Sequence, residues 1–166
     1  MITRKKFLTY SALGALSIVA PGSGSELFSQ QIKKDKGPAL DKDLVKDFVG
    51  KAHKDLDGVK TLLAQEPGLL NCSYDWGGGD FETALEAAGH VGDKEIALFL
   101  LANGARMNIF CAAMLGQLEI VKQILTAFPD LKSSKGPHGL QLIHHAKKGW
   151  EEAEPVLKYL ESIGAS

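Results

Sequence analysis

The stretch GDKEIALFLLANGARMN, Gly92–Asn108, decides how this sequence folds. Ile96, Phe99 and Leu100 stand at i, i+3 and i+4, the spacing that lines up one apolar face of a helix. Asn103 and Gly104 then supply a stop, with Gly104 suited to the left-handed backbone that ends helices. A second copy of the first half, GQLEIVKQIL, follows at Gly116–Leu125 and repeats the stripe with Val121, Ile124 and Leu125. A segment that recurs in this way has an apolar face that only its neighbour can cover, so the pattern predicts a stack rather than a closed core.

Four copies of the unit can be superposed along the chain. They are DLDGVKTLLAQEPGLLN from Asp55, TALEAAGHVGDKEIALFLLANGARMN from Thr83, FCAAMLGQLEIVKQILTAFPDL from Phe110, and GLQLIHHAKKGWEEAEPVLKYLESIGA from Gly139. Gly116 and Gly149 stand 33 residues apart. At these residues the chain resembles the ankyrin repeat family, whose unit reads T-P-L-H-x-A-A-x-x-G, then V-V-x-L-L-L, then G-A-x-x-N. Thr83, Leu85, Ala88, Gly92, Ile96, Leu100, Leu101, Gly104, Ala105 and Asn108 match, while Ala84 and Glu86 replace the proline and histidine. In the fourth unit Ile143, His144 and Ala146 keep the L-H-x-A part. The resemblance implies an all-α fold, an ankyrin-repeat solenoid of about four helix-turn-helix units. It also implies that His144 hydrogen-bonds a turn backbone; it leaves the function open, and the outer surface of the stack is where the work is expected to be done.

Two departures from a regular stack are legible. Gly92 and Gly116 are only 24 residues apart, so the third unit has a shortened finger and Asn108 leads almost directly into the helix at Ile109 or Phe110. The segment from Cys72 to Glu82 is long and carries Gly77, Gly78 and Gly79. Small residues fill the first helices (Ala84, Ala87, Ala88, Gly89; Ala112, Ala113), which lets neighbours approach closely. Asp57, Asp93 and Glu119 fall near second-helix starts, where negative charge meets the helix dipole. Pro155 is expected near the start of the last helix, where its missing N–H matters little.

Residues 1–24 differ in composition from the rest. Arg4, Lys5 and Lys6 precede an apolar and small stretch from Phe7 to Ala20, and Pro21, Gly22, Ser23, Gly24 and Ser25 break it. This is the layout of an export signal. TRKKFL, Thr3–Leu8, is similar to the bacterial twin-arginine motif, with Lys5 in place of the second arginine. Residues 25–40 have linker composition, and the folded domain is expected over 41–166. The expected setting is the bacterial periplasm, or the cytoplasm if the N-terminus is not a working signal. Without the three early cations the chain has 16 basic and 20 acidic residues, a balance of −4. That charge argues against nucleic acid as a partner. No apolar run reaches the roughly 20 residues of a membrane span.

The densest aromatic and acidic cluster surrounds the glycine-rich segment. Tyr74, Trp76, Asp80, Phe81 and Glu82, with Phe110, Met114 and His138 further along, are the expected partner-binding residues of a monomeric interaction module. Trp76 or Phe81 folding back over the first helices, and Phe110 or Met114 entering the core, are the competing readings. The triple glycine does not read as a phosphate cradle, because no Lys-Ser/Thr follows and Asp80 and Glu82 would repel phosphate. His144 and His145 point about 100° apart on a helix, so they make poor co-ligands for a metal. His90 and His138 are likewise expected to serve the fold, with His138, in the GPHG turn, the most exposed of the four. Cys72 and Cys111 should be free thiols, since a full unit separates them by about 10 Å, beyond the reach of a disulfide. No catalytic residue, cofactor or metal is expected. The alternative is a small metal-binding or enzymatic protein using His144, His145 and Cys111.

Overall fold

A computed structural model describes residues 37–165; the expected export signal and most of the linker lie outside them. Eight α-helices occur among these residues, together with one small sheet of two strands. The helices come in four consecutive pairs. They are α1 (Lys42–Lys51) with α2 (Leu56–Gln65), α3 (Ala84–Val91) with α4 (Lys94–Ala102), α5 (Ile109–Met114) with α6 (Leu118–Ala127), and α7 (Leu142–Lys148) with α8 (Trp150–Ser162). The first helices pack in series, α1 on α3, α3 on α5 and α5 on α7, while α2 packs on α4 and α6 on α8. No helix among the described residues is long and apolar enough to cross a membrane.

The helix boundaries follow from local chemistry. Asp41 caps α1 by accepting from the Asp43 and Leu44 amides, which sets the start of the first helix. Thr83 and Glu86 form a reciprocal capping box at the start of α3. Asp93 caps α4 through the Ile96 amide, and Asn108 caps α5 through that of Cys111. Six residues, 103–108, join α4 to α5 with no strand among them, so the third pair lacks a hairpin finger, where the 24-residue spacing predicts a shortened one. The last helix differs from expectation. It starts at Trp150, so Pro155 lies inside it rather than near its start. The residues after Gly149 thus belong to the helix, and Pro155 itself faces solvent.

Burial divides the apolar residues into two clusters that meet at α5. Phe48, Val59, Leu69, Ile96 and Leu100 belong to the first, which also takes Cys111 and Met114. Val121, Leu142, Val156 and Leu160 belong to the second, with Ile109, Ala112 and Ala113. Five of the six residues of α5 are therefore buried, shared between two sides, and their small size permits the double contact. Ile96 and Leu100 are buried as the stripe predicts, while Phe99 is only half-buried.

Close approach is tightest where α5 meets the turn before α8. A Cβ on Gly149 would overlap the Met114 carbonyl oxygen and the Ala153 side chain. Gly149→Ala is therefore expected to lower the unfolding free energy by about 1–3 kcal/mol in urea titrations. Gly50 is a contrasting case, in the last turn of α1 with nothing within 4 Å of an added Cβ. Gly50→Ala should stabilise by about 0.5–1 kcal/mol in the same measurement.

His145 is fully buried beside the Phe110 ring, with centroids 5.0 Å apart. Its Nδ1 donates to the Gln141 carbonyl at 2.9 Å, and its Nε2 is buried without a hydrogen bond. Burial pulls its pKa from 6.5 down to about 4. The unfolded chain thus takes up a proton at a higher pH than the folded one. Stability from keeping this ring neutral is complete above pH 6.5 and is lost as pH falls towards 4, by roughly 3 kcal/mol. Melting curves across that window, with a chelator present, should show a shallower decline for His145→Leu than for the native chain.

Candidate metal centre

The finger between the first and second pairs is an antiparallel hairpin of β1 (Ser73–Asp75) and β2 (Phe81–Thr83), with Tyr74 opposite Glu82. Its turn is held by the Asp75 carboxylate, which accepts from the Gly77 and Gly79 amides. Alternation along β2 sends Phe81 outwards, 58% exposed, and Glu82 inwards, 0% exposed. A carboxylate in that position is costly unless neighbours compensate it. Trp76 donates its indole N–H to Oε2 at 2.7 Å.

Three histidines surround the other side of Glu82. His53 comes from the turn after α1, His90 from the last turn of α3, and His138 from the 3₁₀ turn Pro137–Gly139 before α7. His90 Nε2 lies 2.9 Å from Glu82 Oε1, and His138 Nε2 lies 3.3 Å from the same oxygen. His90 Nε2 and His53 Nε2 are 3.1 Å apart, and His53 Nε2 is 3.6 Å from Oε2. One ligand atom from each of the four residues fits within a span of 4.8 Å. Although two imidazole nitrogens stand close to Oε1, neither aligns to hydrogen-bond it, and this buried oxygen has no hydrogen-bond partner.

The outer nitrogens fix the tautomers. His53 Nδ1 lies 3.2 and 3.1 Å from the carbonyl oxygens of Val49 and Gly50, so it carries the proton and Nε2 presents a lone pair. His138 Nδ1 lies 2.7 Å from Asp80 Oδ2, which orients its Nε2 in the same way. Asp80 Oδ1 also accepts the His138 amide at 2.8 Å. These contacts, the His138 backbone bond first, hold the Asp80 carboxyl below its usual range. The same grip keeps His138 at φ 59°, a left-handed conformation that few residues other than glycine adopt. For Glu82, burial raises the pKa, but the contacts with His90 and Trp76, reinforced by His53, outweigh it and bring it below the ordinary value.

With neutral rings, the centre holds two lone pairs and a carboxylate oxygen, and only His90 has an N–H to offer them. Such a set repels itself unless a cation sits among the donors. Zinc–nitrogen and zinc–oxygen bonds of about 2.0–2.2 Å would place neighbouring ligands roughly 3–3.5 Å apart. The closest donor pairs here are separated by 2.9, 3.1 and 3.3 Å. The backbone and Asp80 contacts to the outer nitrogens are the supporting shell that metal-bound histidines generally have.

The remaining candidate residues are distributed as follows. Tyr74 is half-buried against the first cluster and meets Trp76 edge-on at 4.9 Å. Trp76 is 38% exposed, tied back by Glu82. Phe110 is half-buried, packed on His145 and close to Gly136. Met114 and Glu82 are fully buried, so neither is available to a partner; the first fills the core and the second forms the floor of the histidine cluster. His138 is the most exposed of the four histidines first considered, as its turn suggests, yet it belongs to this cluster rather than to a free surface.

His144 Nε2 meets the His90 carbonyl at 2.9 Å, a backbone contact to the last turn of α3 rather than to a connecting turn, and it steadies a cluster residue. Neither His144 nor His145 joins the cluster. Cys72 and Cys111 are free, and burial raises their thiol pKa values to about 11 and about 12, the Glu86 charge adding to the second. Neither is activated as a nucleophile. His53 is the residue that sequence reasoning missed. It and its partners are spread over 86 positions on four separate elements, with no ligand spacing to connect them. No family model and no curated protein matches the chain.

Proposed function

We propose that this is a metal-binding protein that holds one divalent transition-metal ion through the Nε2 atoms of His53, His90 and His138 and Oε1 of Glu82. The observation that carries the reading is the buried, unpartnered Glu82 Oε1, 2.9 Å from His90 Nε2 and 3.3 Å from His138 Nε2, in a cluster where the His138 and His53 ring protons are committed to Asp80 and to backbone carbonyls. Three imidazoles and one carboxylate, with both thiols elsewhere, favour a borderline ion such as zinc over a soft one. The scaffold is read as an ankyrin-type stack. Support comes from the four helix pairs, the finger hairpin, the Thr83 capping box and the His144 contact to the backbone at the end of α3.

Purified full-length protein dialysed against zinc should retain about one ion per chain. At a free ion concentration near 100 Kd, binding contributes about 2.7 kcal/mol, which raises the melting temperature by roughly 5–15 °C. His90→Ala should abolish retention, and Asp80→Ala, which releases His138 Nδ1, should weaken affinity roughly 10–100-fold. The reading fails if none of zinc, manganese, iron, cobalt, nickel or copper is retained stoichiometrically.

A second reading, docking of another protein along the fingers, is supported by the exposed Phe81 ring at 58% beside Trp76 at 38%. Its contact set would be Tyr74, Trp76, Asp80, Phe81, Phe110 and His138. The two readings are compatible, since an ion that ties the fingers together would also fix this edge. In this reading the module is a non-catalytic monomer, exported to the periplasm by its first 24 residues. Phe81→Ala should then reduce capture of a periplasmic partner while leaving the melting temperature unchanged; a large fall in stability would assign the ring to packing instead.

A further inference from the structure

We infer that the ion at this centre keeps an exchangeable coordination position, filled by water or a small monoanion, because Trp76 confines Glu82 to a single ligating oxygen. The inference rests on the metal-binding reading and extends it from the presence of an ion to the ligand chemistry of its open side.

Both Glu82 oxygens stand within reach of imidazole nitrogens, Oε1 beside His90 and His138 and Oε2 at 3.6 Å from His53. On position alone the carboxylate could chelate an ion with both. The indole N–H of Trp76 prevents this by holding Oε2 at 2.7 Å. An indole nitrogen is a donor only, and turning Oε2 towards the ion would leave it unsatisfied. Trp76 is itself braced by Tyr74, 4.9 Å away edge-on, so it has little freedom to follow. The protein shell therefore consists of three nitrogens and one oxygen.

That shell is built from one side. Side-chain exposure is 0% for Glu82, 13% for His90, 25% for His53 and 32% for His138. The carboxylate forms the floor and the imidazoles form a rim that meets solvent. An ion of five or six coordination completes its shell from that open side. A divalent ion on one carboxylate carries a residual positive charge, which favours an anion over a neutral ligand there. Asp80, the other carboxylate at the rim, is engaged by the ring and amide of His138.

The test uses the full chain loaded with cobalt(II), whose visible spectrum reports coordination, and azide as the anion. The expected result is a saturable spectral change on adding azide while cobalt remains bound after dialysis. Trp76→Phe should still bind cobalt but show an azide response weakened tenfold or more, as Glu82 closes on the ion with both oxygens. Trp76→His, which restores an N–H donor, should recover part of it. An azide-insensitive spectrum in the native protein, or azide that only strips the cobalt, overturns the open position and leaves the metal reading intact. Failure of the native chain to bind cobalt or any other of the metals above overturns the metal reading itself. An undiminished response in Trp76→Phe overturns the role given to Trp76; should that variant not fold, the native response and Trp76→His decide.

Discussion

The rest of the finger architecture depends on burying one charge, the carboxylate of Glu82. A fully buried carboxylate is tolerated only where donors or cations surround it. Here the tolerance is assembled from four places in the chain: the indole of Trp76 and the ring of His53 beside Oε2, and the rings of His90 and His138 beside Oε1. The finger is thereby more than a solvent-exposed connection. Its second strand places a charge under the tip, and the ends of α1 and α3 are drawn to it.

The missing third finger makes the arrangement possible. Because Asn108 caps α5 directly, no hairpin stands between the finger of the second pair and the turn before α7. The chain at Pro137–Gly139 can therefore reach across, and Asp80 takes both the amide and the ring of His138. The left-handed backbone at His138 is the local cost of that reach, and two charge-assisted hydrogen bonds offset it. The same shortening explains α5 itself. A short helix with no finger to anchor it is held by burial on two sides, so its residues are small or apolar and serve both clusters.

The periodic parts of the structure were legible in the sequence because their physics is local. The stripe of Ile96 and Leu100, the acidic Asp93 near a helix start, the stop at Gly104 and the shortened third unit depend on residues within one or two turns of one another. Pro155 was misplaced because helix starts are set by the preceding turn, and nothing near Gly149 marks that α8 begins at once. Trp76 and Glu82 were singled out as an interaction surface, yet they face each other, since a three-residue strand gives too little alternation to show which side is buried. Met114 was placed on a surface for a related reason: on a helix buried on two sides, an apolar residue has no exposed face to be distinguished from.

The sequence alone determined a helical chain of paired, capped units with one finger absent, since periodicity, capping and spacing are read along the chain. Only the tertiary structure decided that His53, Glu82, His90 and His138 meet. The donors come from four elements, and their meeting depends on how α1, α3 and the turn before α7 stack, which no local pattern encodes. His144 and His145 stand adjacent in sequence and have no part in the cluster, while His53 and His138, 85 residues apart, share its carboxylate. Adjacency along a helix sends side chains to different faces, whereas stacking brings distant turns to the same one.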